Sequence, residues 1–549
     1  MGQFVAKRAI RRLETLQKKL YESAYTNASA TPLIDTPSII KYAEGFYQSL
    51  PKDFDQTTID SINNAVDKSD YLLYGDFHTF KQTQKGLLRL LKAYQNHNPE
   101  RPLILAMEMF KSEDQSILDS YLKNEISEQE FLNHYKYEYN WGFPWHNYKI
   151  ILEYAHQNNI KIVGISTDIR VKDNLKKRDM YAATVLKQLK HSNEDHLIVC
   201  LIGEYHLADK HLPKHLGENA NYTRILSNID HYYFHATSPL SSNTEYIKLK
   251  EKLYCILNSP PWIKWQSYAI WEEMKSAEED FFIEDQEYTE EVFDIDYQIF
   301  NILNHINDFL NLDFKKSDLT SFTTYLEPNK SELKEILSSH KASMKHIALI
   351  NFQLNEVGYY FMPSKNLIFI RSVSLNNISE IAGQIIYTLI HPNTWKSDFD
   401  QDFYSKLIRV SSGFLISKIF NPRRKCEELS HYQTLCTDLK HKRLLGEKKR
   451  DRDLANHIIR VFDNLYNIPG KLIPKSAINY DEQCQHLLSQ KLGHIIGCQT
   501  YSTIVRSKEE SLGFSQFFQF SKNISLTPSD QYTYLASWLS KNFPAQSTR

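Results

Sequence analysis

Two short stretches of this 549-residue chain carry the same order of chemistry. Gly75-Asp76-Phe77-His78 and Gly203-Glu204-Tyr205-His206 each run glycine, acid, aromatic, histidine, and each ends an apolar run, YLLYG and HLIVCLIG. An imidazole titrates near neutrality, and a carboxylate beside it orients the ring and raises its basicity. Such a pair can act as a general base or as a metal ligand. Glu108 follows a third apolar run, LILAM, while Ser166, Thr167 and Asp168 follow a fourth, KIVGI. Two histidines with two or three carboxylates suit a borderline divalent ion such as zinc, manganese or iron, and a His or Tyr ligand suits ferric haem. Either histidine alone reads as a strand-end cap; the repeated tetrapeptide favours a site.

The elements that must position these groups follow from hydrophobic periodicity. Short apolar runs bounded by turn residues alternate with amphipathic stretches, the pattern of parallel strands joined by helices. Strands are expected at Tyr71 to Gly75, Leu103 to Met107, Lys161 to Ile165 and His196 to Gly203, with a fifth within His231 to His235. The unbroken apolar run of the fourth suits a central strand buried on both faces. Helices are expected from Lys81 to about Tyr94 and through Met180 to Leu189. Between the second and third strands an insertion of two or three helices is expected, one near Asp114 to Lys123, one capped by Ser127 with Glu130, and one opening at Pro144. Ligands of parallel α/β sheets bind beyond the carboxyl ends of the strands, so the polar residues above fall where a site would be.

Beyond Pro239 the pattern turns mostly helical, with three and four spacing in Glu245 to Leu257, Asp402 to Ile419 and Asp453 to Leu465. HIALINF, VGYYFMP and NLIFIRSV, between His346 and Val373, read as an antiparallel meander. The expected organisation is N-terminal helices over 1–69 packing on an α/β domain over 70–240, then a mainly helical region over 241–549. Cys484, His486, His494 and Cys498 form the one metal-like set in the second half, but their spacing is not that of a zinc ribbon or finger. They read as ordinary core or surface residues.

The stretch from LILAMEMF through WGFPW to KIVGIS, with YLLYGDFH before it and LIGEYH after it, resembles the ChaN-like haem-binding family, within the wider erythromycin esterase, TraB and Tiki superfamily. The resemblance covers roughly residues 70–236. It implies a mostly parallel sheet flanked by helices, and an active centre drawn from Asp76, His78, Glu108, Glu204 and His206. Arg178 and Asp179 in KKRDMYAA resemble that superfamily's helix start. Asp76 stands where the family usually has Glu. The aromatics of the insertion, among them Tyr139, Trp141, Trp145 and Tyr148, are expected with Arg178 to line a pocket for a flat ligand, although a Trp-Gly-Phe-Pro-Trp run is also an ordinary packing wedge.

The first functional reading is a protein that binds haem or a related cofactor at the strand-end cluster and the helical insertion. The second is a hydrolase of esters or peptides in which His78 with Asp76 or Glu108 activates water, with or without a divalent metal held by His78, Glu108, Glu204 and His206. A third is an interaction scaffold with a degenerate site. No HExxH, GxSxG or Walker sequence supports the common peptidase, serine-hydrolase or P-loop alternatives. A net charge of -1 argues against a nucleic-acid partner, and the basic stretch Lys440 to Arg452 reads as a solvated helix face. No apolar run reaches membrane-spanning length, while a homodimer is left open. Six dispersed cysteines and an N-terminus with basic residues among its apolar ones set the expectation of a cytoplasmic protein without a signal peptide.

Overall fold

The structure is a computed structural model that describes all residues except 1, 31–36, 168–174, 237–243, 281–294, 372, 393–402, 428, 439–446, 468–471, 474–481, 507–512, 520–526 and 543–549. Asp168 and the first part of the basic stretch from Lys440 therefore lie outside the described residues. The chain divides into two compact units, one of Lys18–Val292 and one of Met1–Gln17 with Phe293–Arg549.

The first unit is built on an eight-stranded sheet in the order β1-β7-β8-β6-β2-β5-β3-β4. Its strands are β1 (Asp55–Gln56), β2 (Tyr71–Asp76), β3 (Leu103–Lys111), β4 (Lys161–Ser166), β5 (Leu197–Gly203), β6 (Tyr222–Ser227), β7 (Tyr246–Lys250) and β8 (Leu253–Ile256). The run from β8 to β4 is parallel throughout, and β7 and β1 add an antiparallel edge. Alternation along β2 sends Leu72 and Tyr74 into one apolar layer and Tyr71 and Leu73 into the other. All seven residues of β5 are buried, as expected of a central strand. The connection leaving β5 leads toward β6 and that leaving β3 leads away to β4, so the chain parts at the carboxyl ends of these two neighbours. That is where a doubly wound sheet opens a crevice.

The helical insertion matches its local signals. Ser127 and Glu130 close a capping box on the helix Glu128–Tyr135, and Pro144 precedes the helix Trp145–Gln157. Two expectations are corrected in this unit. The fifth strand is Tyr222–Ser227, while His231 to His235 lie in the helix Asp230–Ala236, which opens on an acidic first-turn residue. Glu245 to Leu257 is mostly a pair of strands, β7 and β8, turning at Lys252 with φ 55°. These two strands extend the sheet past position 240.

The second unit is mainly helical. The helix Phe403–Phe420 is buried from Tyr404 onward and packs with the helices Leu375–Ile390 and Glu482–Arg506. Its small sheet has the order β10-β11-β9, from β9 (Thr323–Leu326), β10 (Tyr359–Met362) and β11 (Leu367–Ile370), with β9 parallel to β11. It is not the expected meander, because HIALINF lies in the helix Met344–Val357. Ser343 caps that helix at its start, and Gly358, at φ 89°, ends it in the left-handed region.

Glu108 owes its position to a bulge. β3 and β4 pair in register up to Met107 with Gly164 and resume at Lys111 with Ser166, so the β3 segment between them bows out of the ladder. A Cβ on Gly164 would stand 2.7 Å from the Lys111 carbonyl oxygen and 2.8 Å from that of Phe110. Gly164→Ala is therefore expected to destabilise the protein by about 1–3 kcal/mol. Urea denaturation measures this, and a loss within experimental error would show that the bulge yields without cost.

Candidate functional site

Asp76, His78, Glu108, Glu204 and His206 all sit at the carboxyl end of the sheet, where β2, β3 and β5 finish. Two carboxylate–imidazole pairs form there. In the first, Asp76 is buried at the tip of β2, and its Oδ2 accepts from His78 Nδ1 at 2.9 Å and from the Tyr148 hydroxyl at 2.7 Å. Gln84 Nε2 donates to the other oxygen. With Nδ1 engaged, the Nε2 lone pair of the neutral ring faces away from Asp76. Trp141 and Phe143 clasp the ring at centroid distances of 4.7 and 4.6 Å. Burial alone would depress the His78 pKa, but the hydrogen bond and charge of Asp76, with Glu108, outweigh it and leave it raised. Asn147 Nδ2 donates to the Thr79 carbonyl at 3.2 Å and steadies the loop that carries His78.

In the second pair, His206 Nδ1 lies 2.6 Å from Asp179 Oδ1, and its Nε2 lies 3.5 Å from Glu108 Oε1. Tyr42, on the helix Pro37–Ser49, donates to Asp179 Oδ2 at 2.6 Å and stacks flat on His211 at 3.6 Å. Arg178, one residue before Asp179, pairs with Glu108 Oε1, and the Gly203 amide donates to Glu108 Oε2 at 2.7 Å. Burial raises the Glu108 pKa, but Arg178, then His206 and His78, and the Gly203 amide overcome that and hold it at about 2.

Gly203 is the point where the two pairs meet. A Cβ there would stand 3.4 Å from His78 Nε2 and 3.3 Å from His206 Cδ2, so both imidazoles flank the space that a side chain would fill. Glu204 is different in kind. It is buried, neither carboxylate oxygen has a hydrogen-bond partner, and burial is the main cause that pushes its pKa to about 7. The cation that lowers it most is Lys264, fully buried on the helix Pro261–Asp280, whose ammonium pairs with Asp230 Oδ1 at 2.7 Å.

Residues 62–190 match the family model described as haem-binding uptake, Tiki superfamily, ChaN. The match takes in Asp76, His78, Glu108, Arg178 and Asp179 and ends before Glu204 and His206. No curated protein and no solved structure matches the chain. The family thus covers one side of the cluster by sequence, and the fold brings up the other.

The aromatics expected around a ligand separate in space. Trp141 and Tyr148 touch the Asp76–His78 pair, Trp145 packs inward on Phe131 and Tyr137, and Tyr139 is exposed. Among the described residues no group of three or more His, Cys, Asp or Glu side chains is arranged to hold a metal ion. His78, Glu108 and His206 are instead engaged in the pairs above. Tyr42, Gln84 and Lys264 lie outside the motifs. Gln84 and Lys264 had no signal in the sequence, and Tyr42 reaches the site from a helix that the motifs do not include. Of the metal-like set in the second unit, His486 faces Lys406 and Gln353 while His494 faces Glu380. Those two histidines do not share partners.

The titration of Glu204 has a measurable consequence. An unperturbed Glu ionises near pH 4.5 and Glu204 near 7 in the folded protein, so between these values the unfolded chain has released a proton that the folded one keeps. Stability contributed by this group therefore falls as pH rises through that interval and stays low above it. Glu204→Gln removes the titration. Relative to wild type, its stability in urea denaturation is expected to rise between pH 5 and pH 8 by up to about 3 kcal/mol. A pH-independent difference would mean that the buried carboxyl carries no such penalty.

Proposed function

We propose that the α/β unit binds haem or a closely related tetrapyrrole at its strand-end cluster, with His78 as the nitrogen that meets the iron. The observation that carries this reading is the state of His78, with Nδ1 held by Asp76, Nε2 beside the Gly203 backbone, and the ring clasped by Trp141 and Phe143. An imidazole whose far nitrogen bonds a carboxylate would suit haem iron as a donor, since the carboxylate fixes the tautomer and strengthens the nitrogen. The family match over residues 62–190 supports the same chemistry. When bound, haem would supply a redox-active and ligand-binding iron. The protein's own part would be to orient the imidazole, to offer aromatic faces, and to place Arg178 near the acidic groups of the site.

One observation favours a second reading. The pKa values of Glu108 and Glu204 are pushed apart, to about 2 and about 7, beside an Asp-buttressed histidine. Separated carboxyls of this kind suit an acid and a base in one site. In that case His78 would take a proton from water and Glu204 would return one to the leaving group of an ester or amide.

A hemin titration followed by absorption spectroscopy, with elemental analysis of the purified protein alongside, separates the two. His78→Ala is expected to abolish the hemin-dependent spectrum at a cost of about 1–3 kcal/mol in stability, since it leaves the buried Asp76 carboxylate to Tyr148 and Gln84. A large fall in the unfolding temperature with hemin binding unchanged would show that His78 is structural. Hydrolysis of an activated ester by hemin-free protein, lost in both His78→Ala and Glu204→Gln, would transfer the assignment to the second reading.

A further inference from the structure

The loop that clasps His78 is gripped from outside by a helix that lies beyond the family match, Pro261–Asp280. Trp141 and Phe143 flank Gly142, whose φ of 74° turns the chain out of the short helix Tyr137–Asn140. Inside the insertion this loop is already tied, since the Trp141 amide donates to the Tyr137 carbonyl at 2.8 Å and the Tyr137 hydroxyl donates to the Phe143 carbonyl at 2.9 Å. The helix Pro261–Asp280 adds three contacts of its own. Trp271 Nε1 donates to the Gly142 carbonyl at 2.8 Å, the Trp271 ring stacks on Phe143 at 4.7 Å between centroids, and Lys275 Nζ pairs with Glu138 at 2.8 Å. An earlier turn of the same helix reaches the residues on either side of His78. Trp265 meets Phe77 edge to face at 5.7 Å, and the Ser267 and Thr79 hydroxyls lie 3.1 Å apart. One helix therefore touches both chain neighbours of His78 and the loop that packs on its ring.

We propose that the helix Pro261–Asp280 is a strap across the site and that Trp271 is a positioning residue for His78, which sets how fast reagents and ligands reach the ring and leave it. The ligand half of this inference rests on the haem reading, whereas the pose of His78 does not. Phe143 is the link, since it packs on the His78 ring at 4.6 Å and on the Trp271 indole at 4.7 Å. The Asp76 bond fixes one nitrogen of the imidazole and leaves its tilt to the rings packed on it. The inner ties to Tyr137 persist when the outer contacts open, so the strap can release the loop without unfolding the insertion. Trp271 carries most of this hold, because it offers both a wide face to Phe143 and an N–H to the Gly142 carbonyl. The Lys275–Glu138 pair adds less, since the Glu138 side chain is 72% exposed.

The test uses the full-length chain. Acylation of His78 by diethyl pyrocarbonate in hemin-free protein, mapped by mass spectrometry, reads access to the ring, and transfer of bound hemin to an excess of a hemin scavenger reads ligand escape. In Trp271→Ala both rates are expected to rise about tenfold for the loss of one stack and one hydrogen bond. The hemin absorption band should keep its position, because His78 remains the donor. Trp271→Phe keeps the stack and loses the N–H, and should hold both rises to about threefold. Circular dichroism checks that the variants fold, and Trp271→Phe carries the test if Trp271→Ala does not. Folded variants in which His78 acylates and hemin leaves at the wild-type rates would overturn the strap. Faster acylation of every histidine alike would also overturn it, since that is general loosening. Failure of the wild type to bind hemin would instead sink the haem reading, and the acylation arm then decides the strap by itself.

Discussion

The α/β unit depends on keeping one carboxylate ionised inside the protein. Glu108 emerges from a bulge in β3 at a position only 6% exposed, where an unpaired charge would be untenable. Its oxygens are met by the Arg178 guanidinium, the Gly203 amide and the edge of His206. These partners come from a helix, the end of β5 and the turn beyond it, so a single charge requirement fixes the mutual placement of three chain segments. Removing one partner from such a buried pair costs about 3–5 kcal/mol, because the remaining charge is stranded.

Around that anchor the two histidines are oriented in the same manner. Asp76 engages Nδ1 of His78 and Asp179 engages Nδ1 of His206, and in both the carboxylate is itself held by a tyrosine hydroxyl, Tyr148 in one and Tyr42 in the other. Each tyrosine sits on a helix that packs on the sheet. Ring orientation at the site is therefore set by the packing of the helices Trp145–Gln157 and Pro37–Ser49 rather than by the strand ends alone. Glu204 is the exception, a carboxyl with no hydrogen bond and a raised pKa in a region where its neighbours are paired. Buried unsatisfied groups of this kind are uncommon in native proteins and concentrate at working sites.

The helical unit follows a different rule. Its central helix Phe403–Phe420 is buried on every side yet carries Lys406, Arg409 and Lys418. Such groups survive in a core only when the surrounding elements supply acceptors. Lys406 meets Gln353, and Lys418 meets the carbonyls of the turn after its own helix. The nearby Arg424–Glu380 pair is buried in the same way, with Tyr359 and His494 completing the carboxylate's contacts. The sheet and this bundle therefore both place polar groups within their cores, but only the sheet presents them at the ends of parallel strands.

The strand ends of the α/β unit were legible because parallel strands are short apolar runs and their following residues must emerge on one side. Asp76, His78, Glu108, Glu204 and His206 could be placed together on that ground alone. The capping box at Ser127 and Glu130 was equally local. Where two periodicities competed, the sequence was ambiguous. Glu245 to Leu257 satisfies helical spacing, yet it pairs on the sheet because β6 offers β8 an open edge. HIALINF reads as a strand, yet it is helical because its caps at Ser343 and Gly358 outweigh its apolar run. Which carboxylate meets which histidine and the arrival of Tyr42, Gln84 and Lys264 were decided only by the tertiary structure. Each joins residues far apart in the chain or on separate elements, and such pairings are set by how elements pack, which no local pattern encodes.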